Sequence, residues 1–222
     1  MIKFENSDIG ETLGETIKHA EPLGKNILVT TNSGRYVVSR FSKDSQTVEL
    51  LKMLEGQWFM PKFIQIGPLC IREYIEGSHM LNTPEHVDTL CRCLAELHNI
   101  EPSPDVKDRL KEKSQNTAIS MLSDYEAKTN KNLSHIKEMI LNHLKYSVTQ
   151  LDVYSKNFIV NGDDFKMIDY EFLMLFDQRF TMGVGHYNYL GFLDVMSKYQ
   201  KVEMWPNEFL ELYSVYKSWI NL

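Results

Sequence analysis

Cysteine is scarce: the 222 residues hold three, Cys70, Cys91 and Cys93. Cys91-Arg-Cys93 has no second ligand pair at zinc spacing, and a chain of this size can bury a core without covalent staples. That argues against a disulfide framework and a zinc site, so all three are expected as reduced thiols, mostly in the core. Long apolar runs are missing as well. None approaches the roughly 18 residues that span a bilayer, and the opening MIKFENSDIG has neither the basic flank nor the apolar centre of a signal peptide. No membrane partner is expected, and the expected location is cytoplasmic. Positive charge is also in deficit, with 24 Lys and Arg against 30 Asp and Glu and a net charge of −6. Polyanion binding needs clustered cations, and the one basic run, KDRLKEK at 107–113, alternates in sign like a solvated face. No nucleic-acid partner is expected, whereas a cationic small molecule would suit an acidic protein.

What is present is a composition of 43% hydrophobic and 24% charged residues, enough for one large domain or two small lobes joined tightly. NILVTT (26–31) and RYVVSRF (35–41) flank Asn32-Ser33-Gly34, a hairpin signal whose loop residues tolerate positive φ. SQTVELLKMLEG (45–56) sets Val48, Leu51 and Leu54 at helical spacing, with Ser45 as N-cap and Gly56 as stop. FIQI and LCIREYI follow as strands separated by Gly67-Pro68. Residues up to about 75 thus predict a small sheet with one helix laid on it. After Gly77 the pattern turns helical: Thr83-Pro84 caps a helix whose stripe is Val87, Leu90, Leu94 and Leu97. Further helices are expected over 115–128, 134–146, 187–199 and 206–220, the last burying Phe209, Tyr213, Tyr216 and Ile220. The expected fold is α+β and bilobal, with an antiparallel-sheet lobe at 1–76 and a mainly helical lobe at 77–222 that holds one hairpin.

That hairpin, QLDVYSKNFIVNGDDFKMIDYE at 150–171, carries the chemistry. Asp152 and Asn157 bracket a loop running into a strand, Asn161-Gly162-Asp163 turns the chain, and Asp169 ends the return strand. All three side chains can converge at one end of the hairpin, where oxygen ligands suit Mg²⁺ bound jointly with nucleotide phosphates. Six of the seven histidines, His79, His86, His98, His135, His143 and His186, are scattered without metal spacing and read as surface or core residues.

Asp-x4-Asn, a hairpin and then Ile-Asp-Tyr-Glu resemble the signature of the kinase-like phosphotransferases that include aminoglycoside phosphotransferases, choline kinases and thiamine kinases. GKNILVTTNSGRYVVSRF resembles their nucleotide-covering hairpin, TVELLKMLEG the helix that follows it, IREYIEG their adenine-contacting connector and LAELHNI a common helix end. The resemblance covers most of the chain. It implies an ATP- and Mg²⁺-dependent kinase that moves a phosphate to a hydroxyl of a small-molecule acceptor. Asp152 would be the catalytic base, Asn157 and Asp169 the Mg²⁺ ligands, and Arg40 the cation on the phosphates, paired with Glu49. Glu73, Tyr74 and Ile75 would contact the nucleotide, and Glu171 and Asp177 an acceptor of positive charge. A register shift would put Ser39 in the slot of Arg40. Gln150 stands where the family has the histidine that braces the catalytic loop, Gly24 is the only trace of a glycine-rich loop, and Asn188 falls where an aspartate is common. These departures keep open a nucleotide-binding or partner-binding module without turnover. An atypical protein or sugar kinase of the same fold is the other alternative.

Overall fold

The structure is a computed structural model describing residues 6–42, 45–202 and 207–220, with side chains at 9–42, 45–202 and 211–218. In chain order, α1 (Asn6–Leu13) leads into β1 (His19–Leu23), β2 (Asn26–Thr30) and β3 (Arg35–Arg40). Next come α2 (Gln46–Leu54), β4 (Phe63–Gln65), β5 (Leu69–Glu73) and a short β6 (Ser78–His79). The helices α3 (Pro84–His98), α4 (Pro104–Thr129) and α5 (Ser134–Asn142) follow, then β7 (Tyr146–Gln150), β8 (Phe158–Asn161), β9 (Asp164–Met167) and β10 (Leu173–Asp177). The chain continues through α6 (Gln178–Asn188), α7 (Phe192–Met196) and α8 (Asn207–Ile220).

These elements divide into two compact units. One runs up to His79 and adds Phe158–Ile168; the other is Met80–Asn157 with the chain from Asp169 onward. In the first unit the strands form an antiparallel sheet in the order β1-β2-β3-β5-β4. The β-branched run of β2 and β3 forms the expected hairpin, closed by Thr31 N donating to Gly34 O at 2.9 Å. Neither Asn32 nor Gly34 needs a positive φ, because the Thr31 hydroxyl accepts the Ser33 N–H inside a longer loop. Ser45 caps α2 as expected, accepting from Thr47 N at 3.2 Å, and Gly56 leaves the helix at φ 84°. Strand alternation separates two faces. Tyr36 and Val38 share one with Leu69 and Ile71, against Ile9 of α1, while Val37 and Ser39 share the other with Cys70 and Arg72.

Two elements of this unit go beyond the single helix and later strands that periodicity suggested. α1 and β1 precede the hairpin, and Gly24 sits in the β1–β2 turn at φ 60° instead of before a first strand. β1 carries Pro22 and almost no buried residues, and among the described strands it pairs with β2 alone, an edge position where a proline is tolerated. The β8–β9 hairpin was expected with the helices, and it groups here with the sheet. Ser78 pairs with Val160, Lys166 Nζ donates to Trp58 O at 2.6 Å, and Met167 N donates to Phe59 O at 2.8 Å.

In the second unit, α3 has the expected Thr83 cap and buries Val87, Leu90, Leu94 and Leu97. α4 is longer than expected, starting at Pro104 in the first turn and taking in the alternating run at 107–113. The helix predicted over 134–146 stops at Asn142, and Tyr146 opens β7 instead. Its Val148 and Thr149 lie antiparallel to the apolar β10, a partner too distant in sequence for local periodicity to report. The helix predicted over 187–199 is replaced by α6 and α7, separated by a break in which Gly191 takes φ 71°. Tyr213 and Tyr216 of α8 are buried as expected; Phe209 and Ile220 lie outside the residues whose side chains are described. No described helix is long and apolar enough to cross a membrane.

Candidate active site

β7 delivers the chain into a loop whose hydrogen bonds leave little freedom. Tyr154 N donates to Asp152 O at 2.9 Å, and Asn157 N donates to Tyr154 O at 2.9 Å, closing a 3-10 turn over Ser155–Asn157. Asn157 is buried, and its Nδ2 donates to both Asp152 O and Asp152 Oδ2, each at 2.7 Å. That double bond identifies the amide nitrogen and leaves Asn157 Oδ1 as an oxygen ligand. Asp152 is 5% exposed, and its other oxygen, Oδ1, is buried with no hydrogen-bond partner. Burial raises its pKa, partly offset by the Asn157 bond and the Lys156 charge and reinforced by the Asp169 and Glu171 charges. The carboxylates at 152, 169 and 171 therefore lie within one electrostatic neighbourhood.

Gln150 ties this group together. Its side chain is buried; Nε2 donates to Asp169 O at 2.5 Å, and Oε1 accepts Asp152 N at 3.4 Å. Thr181 Oγ1 donates to the Gln150 carbonyl at 3.3 Å, and Leu151 N donates to Phe172 O at 3.1 Å. Asp169 is half-buried, and its Oδ1 accepts the Glu171 N–H at 3.1 Å, while the Glu171 side chain is exposed. Among the described residues no three His, Cys, Asp or Glu side chains gather as a metal cluster. The available donors, an amide oxygen and a half-buried carboxylate, are hard oxygens that fit Mg²⁺ when phosphates and water complete its shell.

Asp177, expected at the acceptor, has a different environment. It is fully buried, and Arg179 donates to it from Nε at 2.9 Å and Nη2 at 2.7 Å. It also accepts the Arg179 and Lys145 N–H groups at 2.9 Å each, capping α6. The structure makes it a structural carboxylate with both oxygens engaged. Asn188 Nδ2 donates to Val153 O at 2.9 Å, holding the end of α6 to the loop that follows Asp152.

The expected nucleotide residues lie in the first unit. Arg40 ends β3 exposed, on the sheet face that includes Val38, and Ser39 faces the other way. Glu49 is half-buried in the first turn of α2. Glu73 is engaged at the end of β5, where its Oε1 accepts Lys62 N at 2.8 Å. Tyr74 donates its N–H to Arg35 O at 2.9 Å, and the Arg35 guanidinium lies over its ring at 4.0 Å. Ile75 is half-buried. Sequence reasoning missed Arg72. It is buried on β5 and donates from Nη1 to Glu73 O at 3.3 Å and from Nη2 to Ile168 O at 3.2 Å. An arginine between the buried Ile71 and the connector was the available signal, since an arginine is seldom buried unless it is paired.

Solved structures similar to this chain include small-molecule phosphotransferases. A choline kinase from Streptococcus pneumoniae is 18% identical with a TM-score of 0.62, covering 97% of this chain and 90% of its own. A spectinomycin phosphotransferase in complex with ADP and spectinomycin is 13% identical with a TM-score of 0.63, covering 97% and 85%. The ethanolamine kinase of Plasmodium vivax is 14% identical with a TM-score of 0.59, covering 95% and 71%. No protein-family model matches the chain, and no curated protein matches its sequence. At such identities the likeness establishes the fold, a mixed α and β architecture built on a five-stranded antiparallel sheet and shared with these enzymes.

Proposed function

We propose that the protein is an ATP- and Mg²⁺-dependent phosphotransferase acting on a hydroxyl of a small molecule. One observation carries the reading: Asn157 bonds Asp152, and Gln150 ties the Asp169 backbone, a whole hairpin further along, to the same loop, with Asp152 Oδ1 buried and lacking a partner. The acceptor hydroxyl donates to that oxygen, which aligns its own oxygen for attack on the γ-phosphorus. A new P–O bond to the acceptor forms, the bond to the β–γ bridging oxygen breaks, ADP departs, and the hydroxyl proton passes to Asp152. The upward shift of Asp152 suits it to accept that proton. Asn157 Oδ1 and the Asp169 carboxylate would hold Mg²⁺, which supplies charge neutralisation at the phosphates. In the first unit, Arg40, with Glu49, would serve the phosphates, and Glu73, Tyr74 and Ile75 the base. A cytosolic location belongs to the same reading, as does Glu171 as a contact to an acceptor of positive charge.

The alternative, nucleotide binding without turnover, rests on Gln150. Its amide grips both Asp152 N and Asp169 O, so the bracing does not need an imidazole. The test is ADP release from ATP with Mg²⁺ across choline, ethanolamine, thiamine, aminoglycoside and sugar acceptors. Release accelerated by one class, abolished in Asp152→Asn while that variant keeps its ATP-induced thermal shift, supports the enzyme. Equal slow release by both proteins with every acceptor supports the binding module.

A further inference from the structure

Arg72 projects from an inner strand of the five-stranded sheet. β5 is paired on both sides, with Arg72 opposite Val37 of β3 and Phe63 of β4, and the residue is 5% exposed. Packing alone would be met by an apolar side chain, without the cost of burying a charge. The guanidinium instead bonds two main-chain carbonyls: Nη1 donates to Glu73 O at 3.3 Å and Nη2 to Ile168 O at 3.2 Å. The first carbonyl belongs to the connector proposed to serve the nucleotide base. The second belongs to the peptide whose nitrogen is that of Asp169, the proposed metal ligand. The chain leading to that peptide is held at successive residues, since Lys166 Nζ donates to Trp58 O at 2.6 Å and Met167 N to Phe59 O at 2.8 Å before Ile168 O meets Arg72. Beyond Asp169 Cα, the Asp169 carbonyl accepts Gln150 Nε2 at 2.5 Å. The planar peptides before and after an α-carbon set its φ and ψ, and with them the direction in which its side chain leaves.

We infer that Arg72 is a positioning residue for Asp169: it fixes the peptide that enters the metal ligand and ties that peptide to the connector at Glu73. The base contact and the metal ligand thereby share one anchor, on a strand whose own backbone is fixed from both sides. In this role Arg72 touches neither nucleotide nor metal. A guanidinium suits it because a planar fork of N–H donors reaches two carbonyls at once, whereas an ammonium is a compact charge on a flexible stem.

The inference rests on the phosphotransferase reading, and its test reads binding as well as turnover. The Kd of ATP is measured by calorimetry with Mg²⁺ and with EDTA, and kcat by ADP release, for the wild type, Arg72→Lys and Arg72→Gln. Arg72→Lys keeps the charge and loses the fork; Arg72→Gln loses the charge and keeps a shorter donor. The wild type should bind ATP more tightly with Mg²⁺, and each variant should cut that gain by about fivefold to tenfold, the scale of one hydrogen bond. Glu73 keeps its pairing with Tyr36 and its two bonds to Lys62, so the Kd in EDTA should move by about twofold at most. A purely structural role would lower the Tm and move both Kd values together. A gain left unchanged, or Kd values that shift together, overturns the inference and leaves the kinase reading standing. Variants that do not fold assign Arg72 to stability alone and overturn it as well. If the wild type binds ATP with Mg²⁺ but never releases ADP, the kinase reading fails and the change in the gain still decides for Arg72. A wild type whose ATP affinity ignores Mg²⁺ removes both.

Discussion

Asp152 holds a charge that its surroundings resist, and this makes stability and activity diverge. Its folded pKa is raised above the unfolded value, chiefly by burial. Ionisation therefore opposes folding above the folded pKa and ceases to do so below the unfolded one. Asp152→Asn should raise the Tm at neutral pH, with the gain over wild type shrinking as pH falls through the Asp152 pKa. In the same variant turnover should drop by about 10²- to 10⁴-fold, measured by coupled ADP release. His98 gives the opposite pH signature. Burial lowers its pKa to about 4, and although Nδ1 faces Gln200 Oε1 at 3.1 Å, no described residue accepts a proton placed on Nε2. Its folded pKa is depressed, so stability is lost as pH falls from the unfolded value near 6.5 toward about 4. At most about 3 kcal/mol is involved, and His98→Gln should flatten that stretch of a urea-melt series. Gln150→Ala removes two bonds that hold Asp152 and Asp169. It should lower kcat by about tenfold to a hundredfold and destabilise by roughly 1–3 kcal/mol, read by kinetics and by urea melts. The positions of Asp152, Asn157 and Asp169 around one loop were legible because their spacing is local to one hairpin. The roles of Gln150, Arg72 and Asp177 were not, because each depends on what lies opposite once the chain has folded.

Elements that pack closely leave specific glycines no room. Gly77 takes φ 149°, and a Cβ there would stand 2.5 Å from Val160 O, at the pairing of β6 with β8. Gly185 on α6 faces the buried Phe192 ring, which an added methyl would overlap. Gly185→Ala should cost about 1–3 kcal/mol by overpacking, seen as a lower Tm, whereas Gly162→Ala, with no atom nearby, should suffer only the milder strain of φ 61°. Where an element's own residues carry its signal, reading it in advance succeeded. The β-branched runs of β2 and β3, the Ser45 cap of α2 and the Thr83-Pro84 start of α3 are of this kind. It failed for β7, since YSVTQ is short and its apolar partner LMLFD lies beyond the β8–β9 hairpin. It failed also for β1, an edge strand with almost no buried residues to betray it.

At the scale of the whole molecule, metal and nucleotide dependence is the property to measure. ATP with Mg²⁺ should raise the Tm, chelation by EDTA should remove most of that rise, and Asp169→Ala should lose it while keeping the apo Tm within a few degrees. A shift indifferent to EDTA would speak against Asn157 and Asp169 as metal ligands. The amino-acid sequence by itself determined the order of a sheet-forming half and a helical half, and the Asp-x4-Asn loop with its returning aspartate. Periodicity, caps and turns act over a few residues, so they are written where they act. Only the tertiary structure decided that β8 and β9 group with the sheet, that Arg40 and Arg72 occupy opposite faces of it and that Asp177 serves a helix end. Those outcomes depend on burial and on partners distant along the chain, and neither exists until the chain has closed on itself.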